Sequence, residues 1–215
     1  MIDIVVVLSG AGSNFQAIAD EAASGRLPVR IAAVVSDQPD AYGLERARRA
    51  GIDAVCVPLA DYATREAFDS ALKDAIDRFE PKLVVLAGFM RRLGARFVRH
   101  YWGRLINVHP SLLPAYRGLH TYRRALAAGE AEHGTTVHFV TEDLDGGPLI
   151  AQAAVAIRPD DDEQSLSARV QAREYTLYPE VIRWFAEGRL VLKDNAAQLD
   201  GAPLAAPVQP LAATP

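Results

Sequence analysis

The sequence is poor in sulfur and in long apolar runs. Its single cysteine, Cys56, excludes an internal disulfide and any zinc or iron–sulfur site built from several cysteines. The longest strongly apolar stretch, residues 83–90, is far too short to cross a bilayer. Asp3 interrupts the apolar start and no basic region precedes it, so we expect no signal peptide. These absences predict a soluble protein of a reducing compartment, the cytoplasm, with no membrane partner.

The sequence also has no excess of positive charge. It carries 23 Lys and Arg against 27 Asp and Glu, a formal net charge of −4. The densest basic spots, residues 46–49 and 123–124, are short and lie among acids, so we expect no nucleic-acid partner. Half of the 215 residues are hydrophobic and 23% are charged, which is the balance of a globular protein of one domain.

Short apolar blocks alternate with helical patterns, as is typical of βαβ units on a parallel sheet. Strands are predicted at residues 2–8, 30–36, 54–57, 83–87, 104–108, 135–140 and 149–156. Helices are predicted near residues 15–22, 42–50, 64–79, 95–101 and 122–128, and the last helix has an apolar face formed by Leu166, Val170, Leu177, Val181 and Phe185. We therefore predict an α/β fold with a Rossmann-like, mostly parallel twisted sheet and flanking helices.

The segment Ser9–Asn14, between the first strand and the first helix, is a candidate phosphate loop. Glycines allow a ligand to approach the backbone, and free amides at a helix N-terminus attract anions. A plain strand-to-helix turn is the alternative. A dinucleotide site with Asp37 as the ribose-binding acid is another, but bulky Phe15 occupies the position where such sites need a third glycine. The pattern favours a single sugar phosphate.

Asn107 and His109 lie two residues apart at the end of a predicted strand, so both side chains share one face. An asparagine there can donate to a developing oxyanion, and a histidine can move a proton near neutral pH. The alternative is a pair that only bonds to loop backbone. A metal site is disfavoured because His109, His120, His133 and His138 have no ligand spacing.

Two further segments could contribute to a site. Asp145 lies in a tight turn, residues 144–148, that could present its carboxylate to a pocket or only cap its own backbone. Residues 86–93 follow a predicted strand, and their apolar backbone could hold a flat heteroaromatic ring or merely pack under the next helix.

Taken in order, the segments SGAGSN, LAGFMRRL, INVHPSLLP, HGTTVHFVTEDLDGGP and DNAAQLDG resemble the phosphoribosylglycinamide formyltransferase family. The resemblance extends from Met1 to about Gly201. It implies transfer of a formyl group from 10-formyltetrahydrofolate to the amine of 5′-phosphoribosylglycinamide in purine synthesis, without a metal. Both partners are small molecules, and the resemblance leaves monomer and homodimer open.

The resemblance also implies roles for individual residues. The catalytic set is Asn107, His109 and Asp145. The ribotide-binding set is Gly12, Ser13, Asn14 and Glu174. The folate-binding set is Arg65, Met90, Arg91, Arg92, Leu93 and Asn107.

The same resemblance sets the expected domain limits. It implies one formyltransferase domain over residues 1–194, with a sugar-phosphate-binding half (1–100) and a catalytic and folate-binding half (101–194). We expect residues 195–215 to form an extended Ala/Pro-rich tail outside the core. Two positions depart from the family pattern: Arg117 replaces a proline and Tyr122 replaces a histidine.

Other folate-dependent enzymes share parts of these motifs. Formyltetrahydrofolate hydrolases carry a regulatory domain ahead of this region, and methionyl-tRNA formyltransferases carry an additional C-terminal domain. We expect this chain to have neither addition.

Overall fold

The computed structural model describes residues 1–209 and is organised around a seven-stranded sheet. The strands of this sheet are β1 (Ile2–Leu8), β2 (Val29–Ser36), β3 (Asp53–Cys56), β4 (Leu83–Leu86), β5 (Leu105–His109), β6 (Glu132–Phe139) and β7 (Leu149–Ala156). The helices are α1 (Ser13–Ala23), α2 (Tyr42–Arg49), α3 (Arg65–Asp77), α4 (Ala95–His100), α5 (Thr121–Ala128) and α6 (Glu163–Ala186). The α/β class and mostly parallel sheet predicted from the sequence are confirmed.

The strand order, β3-β2-β1-β4-β5-β6-β7, reverses direction at β1. β1 pairs in parallel with β2 on one side and with β4 on the other, and β4 pairs in parallel with β5. The loops after β1 and β4 therefore diverge at one edge of the sheet, where open α/β folds bind ligands. β6 then runs antiparallel to β5, and β7 antiparallel to β6.

Alternate residues of β1 build two hydrophobic cores. Ile4 and Val6 pack on the side of α1 and α6, whereas Val5 and Val7 pack on the side of α3 and α4. Because successive side chains of a strand point to opposite faces, an apolar strand without polar positions is covered on both sides. No helix within residues 1–209 is both long enough and apolar enough to span a membrane.

The prediction of an extended tail outside the core is wrong for residues 196–208. Strands β8 (Leu190–Lys193), β9 (Ala196–Leu199) and β10 (Ala202–Pro203) form a small antiparallel sheet, and Ala197 is buried in the core. Val208 then pairs with Ala151 of β7. The alanines and prolines of residues 195–215 form no alternating apolar pattern, so the sequence did not indicate these strands. The small side chain of Ala197 nevertheless packs in the core. Residues 210–215 lie outside the described part of the chain.

Candidate active site

The candidate phosphate loop follows β1 and leads directly into α1. Gly12 has φ 71°, a left-handed conformation, and a Cβ placed on it would lie 2.7 Å from the Cα of Gly43. Glycine is therefore required both by the backbone angle and by the close approach of α2. This geometry leaves the first amides of α1 free of a side-chain cap, as an anion site at a helix N-terminus needs.

Asn14 and Glu174 meet beside this loop, although 160 positions separate them in the sequence. Nδ2 of Asn14 donates to Oε2 of Glu174 at 2.7 Å, and both residues are buried. Oδ1 of Asn14 is buried without a hydrogen-bond partner among residues 1–209. A buried acceptor in that state is costly unless a ligand or water donates to it, so Asn14 Oδ1 is a candidate contact for a bound ligand.

Thr135 connects this pair to β5. Its hydroxyl oxygen lies 3.2 Å from Oε1 of Glu174 and 3.1 Å from the carbonyl oxygen of His109. Burial raises the pKa of Glu174, while the hydrogen bonds from Asn14 and Thr135 act in the opposite direction. The ribotide-binding set implied by the sequence is thus assembled in one place and is joined to the strand that carries His109.

Asn107 and His109 lie on one face of β5, as their spacing predicts. Their partners across the antiparallel pair are His138 and Thr136, respectively. Nε2 of His109 lies 3.0 Å from the carbonyl oxygen of Tyr116, and Nδ1 lies 3.5 Å from Oδ2 of Asp145. Both ring nitrogens therefore face oxygen acceptors, Nε2 at hydrogen-bond distance and Nδ1 slightly farther away.

Asp145 reaches this face from the turn between β6 and β7. Its backbone has φ 47°, and its Oδ2 accepts a hydrogen bond of 2.9 Å from the amide of Gly118. The side chain is only 10% exposed. The structure thus brings Asp145 to His109, a meeting that no spacing in the sequence predicts.

His138 is a member of this site that the sequence analysis considered only as a metal ligand. Its Nδ1 lies 2.9 Å from the carbonyl oxygen of Phe139, and its Nε2 lies 3.3 Å from Nδ2 of Asn107. Complete burial lowers the pKa of His138 to about 4, so the ring is neutral at pH 7. The residues described, 1–209, contain no cluster of three or more His, Cys, Asp or Glu arranged to hold a metal.

Four of the six implied folate-binding residues lie in the segment 87–94, between β4 and α4; Arg65 lies at the start of α3 and Asn107 on β5. Arg65 donates through Nη2 to the carbonyl of Arg92. Met90 is 64% exposed, whereas Leu93 is buried. Leu86 pairs with Asn107, so this segment begins directly beside the catalytic strand.

The dinucleotide alternative is disfavoured by the surroundings of Asp37. Nε of Arg91 lies 2.8 Å from Oδ2 of Asp37, and the Asp37 side chain has no solvent exposure. A carboxylate enclosed in this way is not available to a ribose. Phe15 is also fully buried, so the position that a dinucleotide site leaves empty for close packing is filled.

The two departures from the family pattern follow His109 in the chain, Arg117 in the loop after β5 and Tyr122 in α5. A Cβ placed on Gly146 would lie 3.1 Å from Nη1 of Arg117, so this guanidinium lies against the turn that carries Asp145. Tyr122 packs its ring edge-on against His133, with centroids 5.3 Å apart. Arg117 therefore lies beside the turn of Asp145, whereas Tyr122 packs on His133, and His109 and Asp145 remain 3.5 Å apart.

Comparison with known proteins agrees with this geometry. Residues 2–182 match the family model described as "Formyl transferase". The chain is 54% identical to the phosphoribosylglycinamide formyltransferase of Escherichia coli (strain K12) over 93% of its length and 94% of that protein. It is 44% identical, over 90% of its length, to 14% of the trifunctional purine biosynthetic protein adenosine-3 of Drosophila melanogaster.

Solved structures give the same result. The phosphoribosylglycinamide formyltransferase of Coxiella burnetii superposes with a TM-score of 0.90 at 54% identity. The superposition covers 95% of this chain and 96% of that one. A family match over most of the chain, close relatives and a shared fold lead to one conclusion: this protein belongs to the formyl transferase family.

Proposed function

We propose that this protein transfers the formyl group of 10-formyltetrahydrofolate to the amine of 5′-phosphoribosylglycinamide, a step of purine synthesis. The observation that carries the proposal is that Asp145 lies 3.5 Å from His109, which shares one face of β5 with Asn107, between a phosphate loop and a second ligand segment. The E. coli relative, which matches nearly end to end, is named a phosphoribosylglycinamide formyltransferase, and this supports the ribotide as the acceptor of the formyl group.

The reaction needs no oxidant or reductant. The ribotide amine attacks the formyl carbon and forms a tetrahedral adduct whose oxygen carries negative charge. The bond from carbon to N10 of the folate then breaks, and one proton passes from the attacking nitrogen to N10. The protein therefore has to bind two ligands, align them, stabilise the oxyanion and assist the proton transfer.

Asn107 and His109 supply hydrogen-bond donors for the oxyanion. One Nδ2 hydrogen of Asn107 points to His138, which leaves the second available to the substrate oxygen. Nε2 of His109 is held by the Tyr116 carbonyl, a contact that the formyl oxygen replaces when the donor binds. Loss of one such donor costs about 3 kcal/mol of transition-state stabilisation in other enzymes.

Asp145 fixes the ring of His109 and balances its charge. At 3.5 Å from Nδ1 it is within ion-pair distance, and the Gly118 amide holds the carboxylate in place. A carboxylate in this position stabilises the imidazolium form that would exist once the ring has taken up a proton.

The ribotide occupies the loop at Gly12, Ser13 and Asn14. Backbone amides at the start of α1 bind the phosphate, because the helix dipole adds to their positive end. The unpartnered Oδ1 of Asn14 and the buried Glu174 are the acceptors for the hydroxyl or amine hydrogens of the same ligand.

The folate occupies the segment 87–94 beside Arg65. Exposed Met90 offers an apolar surface to a flat ring, and buried Leu93 anchors the segment. Asn107 borders this segment through the pairing of β4 and β5, so the formyl group of a folate bound here lies close to the oxyanion donors.

The test is an assay of formyl release from 10-formyltetrahydrofolate with purified protein. We expect tetrahydrofolate to form only when 5′-phosphoribosylglycinamide is added, in equal amount to the formylated ribotide. Equal release without the ribotide would identify a hydrolase and contradict the proposal. Replacing the ribotide with methionyl-tRNA is the second control, and product formation with that substrate alone would also contradict it.

A further inference from the structure

Asp37, at the end of β2, is a buried carboxylate that the proposed reaction does not use. Its Oδ2 accepts hydrogen bonds from Nε of Arg91 at 2.8 Å and from Nε2 of Gln38 at 2.9 Å. Arg91 comes from the segment 87–94 after β4, so this ion pair crosses from one strand end to another. A buried carboxylate facing a half-exposed arginine is a far stronger anchor than two charges on an open surface.

Hydrogen bonding keeps this carboxylate charged in spite of its burial. Burial raises the pKa of Asp37, but hydrogen bonds from Ser9, Arg91 and Gln38 outweigh that effect and the pKa lies below its usual value. Oδ1 remains without a hydrogen-bond partner within residues 1–209. The hydroxyl of Ser9, the guanidinium of Arg91 and the amide of Gln38 together compensate for a charge removed from water, and among them only Arg91 carries an opposite charge.

Other contacts hold the backbone of the segment directly. The hydroxyl of Ser9 accepts a hydrogen bond of 2.9 Å from the amide of Met90, and the amide of Ser9 donates to the carbonyl of Gly88 at 3.1 Å. At the other end, Oδ2 of Asp69 accepts from the amide of Gly94 at 2.7 Å. These contacts fix the backbone, whereas Asp37 fixes one side chain.

The pairing also leaves part of Arg91 available. Among the described residues Arg91 donates only through Nε, so both terminal nitrogens of the guanidinium are left for a ligand. Its side chain is 40% exposed, in contrast to the enclosed Asp37. A long side chain held at Nε loses its rotational freedom before the ligand arrives, which lowers the entropic cost of binding.

We propose that Asp37 is a positioning residue for the folate: it fixes the guanidinium of Arg91 at Nε, so that the two terminal nitrogens are held ready for a folate bound on the segment 87–94. The inference rests on the proposed function. Asp37 touches neither ligand in this assignment, and its effect on the folate passes through Arg91.

The first experiment measures both Michaelis constants for Asp37→Ala. We expect KM for 10-formyltetrahydrofolate to rise about tenfold, because a charge-assisted hydrogen bond is lost. We expect kcat and KM for the ribotide to stay within about twofold, because Ser9 still ties the ribotide loop to residues 88 and 90. Asp40→Ala is the matched control, since Asp40 is an exposed carboxylate in the same loop.

The variant Asp37→Asn distinguishes a loss of Arg91 orientation from a loss of protein stability. Its amide oxygen can still accept from Nε of Arg91 without the charge, so we expect a rise of about threefold in the folate KM. If Asp37→Ala does not fold, this variant carries the test. An unchanged folate KM in it, or an equal rise of both Michaelis constants in either variant, would overturn the proposal.

A double-mutant cycle with Arg91→Ala tests the route of the effect. We expect Asp37→Asn to leave the folate KM unchanged once Arg91 is absent, whereas an undiminished rise would refute action through Arg91. Calorimetric titration with tetrahydrofolate gives the same comparison without turnover. If wild-type protein transfers no formyl group yet binds tetrahydrofolate, the proposed function fails while this cycle still decides the role of Asp37.

Discussion

At the scale of single residues, His138 determines how Asn107 presents its amide. The contact of Nδ1 with the Phe139 carbonyl makes Nδ1 the protonated nitrogen, so Nε2 is left as the acceptor for Asn107. The amide nitrogen of Asn107 is thus held in the site, and the amide cannot flip without losing a buried hydrogen bond. His138 therefore contributes to the site by holding the side-chain amide of Asn107 in one orientation.

Because the pKa of His138 is lowered to about 4 in the folded protein, the neutral ring makes stability depend on pH. The contribution of the neutral ring to the free energy of unfolding is fully present above pH 6.5, the pKa of histidine in the unfolded chain. It is lost as the pH falls toward 4, the pKa in the folded protein. We expect His138→Gln, whose Oε1 can replace Nε2 as acceptor, to lose about 2 kcal/mol less in free energy of unfolding between pH 7 and pH 4.5 than wild type.

Urea denaturation at the two pH values measures this difference. His100→Gln is the control, because His100 is an exposed histidine paired with Asp77 on the surface. An identical pH dependence for His138→Gln and wild type would show that His138 is not held neutral in the fold.

His109 supports a second prediction at this scale. The ring contacts Tyr116 and Asp145, while the link to the ribotide set passes through its backbone carbonyl, which alanine retains. We expect His109→Ala to lower kcat by 10² to 10⁴, the usual range for loss of an acid–base group, with ribotide affinity within about threefold of wild type. Steady-state kinetics and equilibrium titration with the ribotide provide the two measurements. Weakened binding with unchanged kcat would make His109 a substrate clamp.

At the scale of elements, the phosphate loop depends on the packing of α2 against it. Gly43 of α2 donates its amide to the carbonyl of Gly10 and lies against Gly12. We expect Gly12→Ala to raise the ribotide KM at least tenfold, because a side chain at φ 71° is strained by about 1–2 kcal/mol and the new methyl group would displace α2.

Gly10→Ala is the matched control for this change. A Cβ on Gly10 has no neighbour within 4 Å and its φ is not in the left-handed region, so we expect a change of less than threefold. Comparable losses from both variants would mean that the loop tolerates no side chain anywhere, and that the contact with α2 is not the reason.

Some features of the helices and strands could be predicted from the sequence, and others could not. Apolar periodicity was sufficient for β1, β4 and α3, since each buries a continuous apolar stripe. The spacing of Asn107 and His109 correctly placed both on one face of a strand. The position of Asp145 required the antiparallel turn from β6 to β7, and the pairing of Asn107 with His138 required the register between two strands. Neither long-range pairing leaves a local pattern, so only the resemblance to a family indicated Asp145.

At the scale of the whole molecule, the order of the strands brings distant segments together. The reversal at β1 places the loops after β1 and β4 side by side, and β5 adds the catalytic strand next to them. Asp37 at the end of β2 then joins this edge through Arg91. Four strand ends therefore contribute to one site, which is why no short stretch of sequence contains it.

The C-terminal segment predicts a further effect on the whole fold. Val208 pairs with β7 through two backbone hydrogen bonds of 2.9 Å, and Leu204 and Val208 pack on the core. We expect removal of residues 202–215 to lower Tm by about 4–8 °C and to cause association that depends on concentration, because β7 becomes an open edge strand. Calorimetry and light scattering test this, with removal of residues 210–215 alone as the control. An unchanged Tm in the longer truncation would contradict it.

The pairing at Val208 connects the segment after β10 to the loop that follows His109. The backbone of Gln152 donates to Val208, and the side chain of the same residue donates to the carbonyl of Leu113 at 2.7 Å and to the hydroxyl of Thr136 at 3.0 Å. Leu113 belongs to the loop that follows His109. One residue of β7 thus separates the C-terminal segment from that loop, so an affinity tag or fusion partner that strains this segment would alter the catalytic rate.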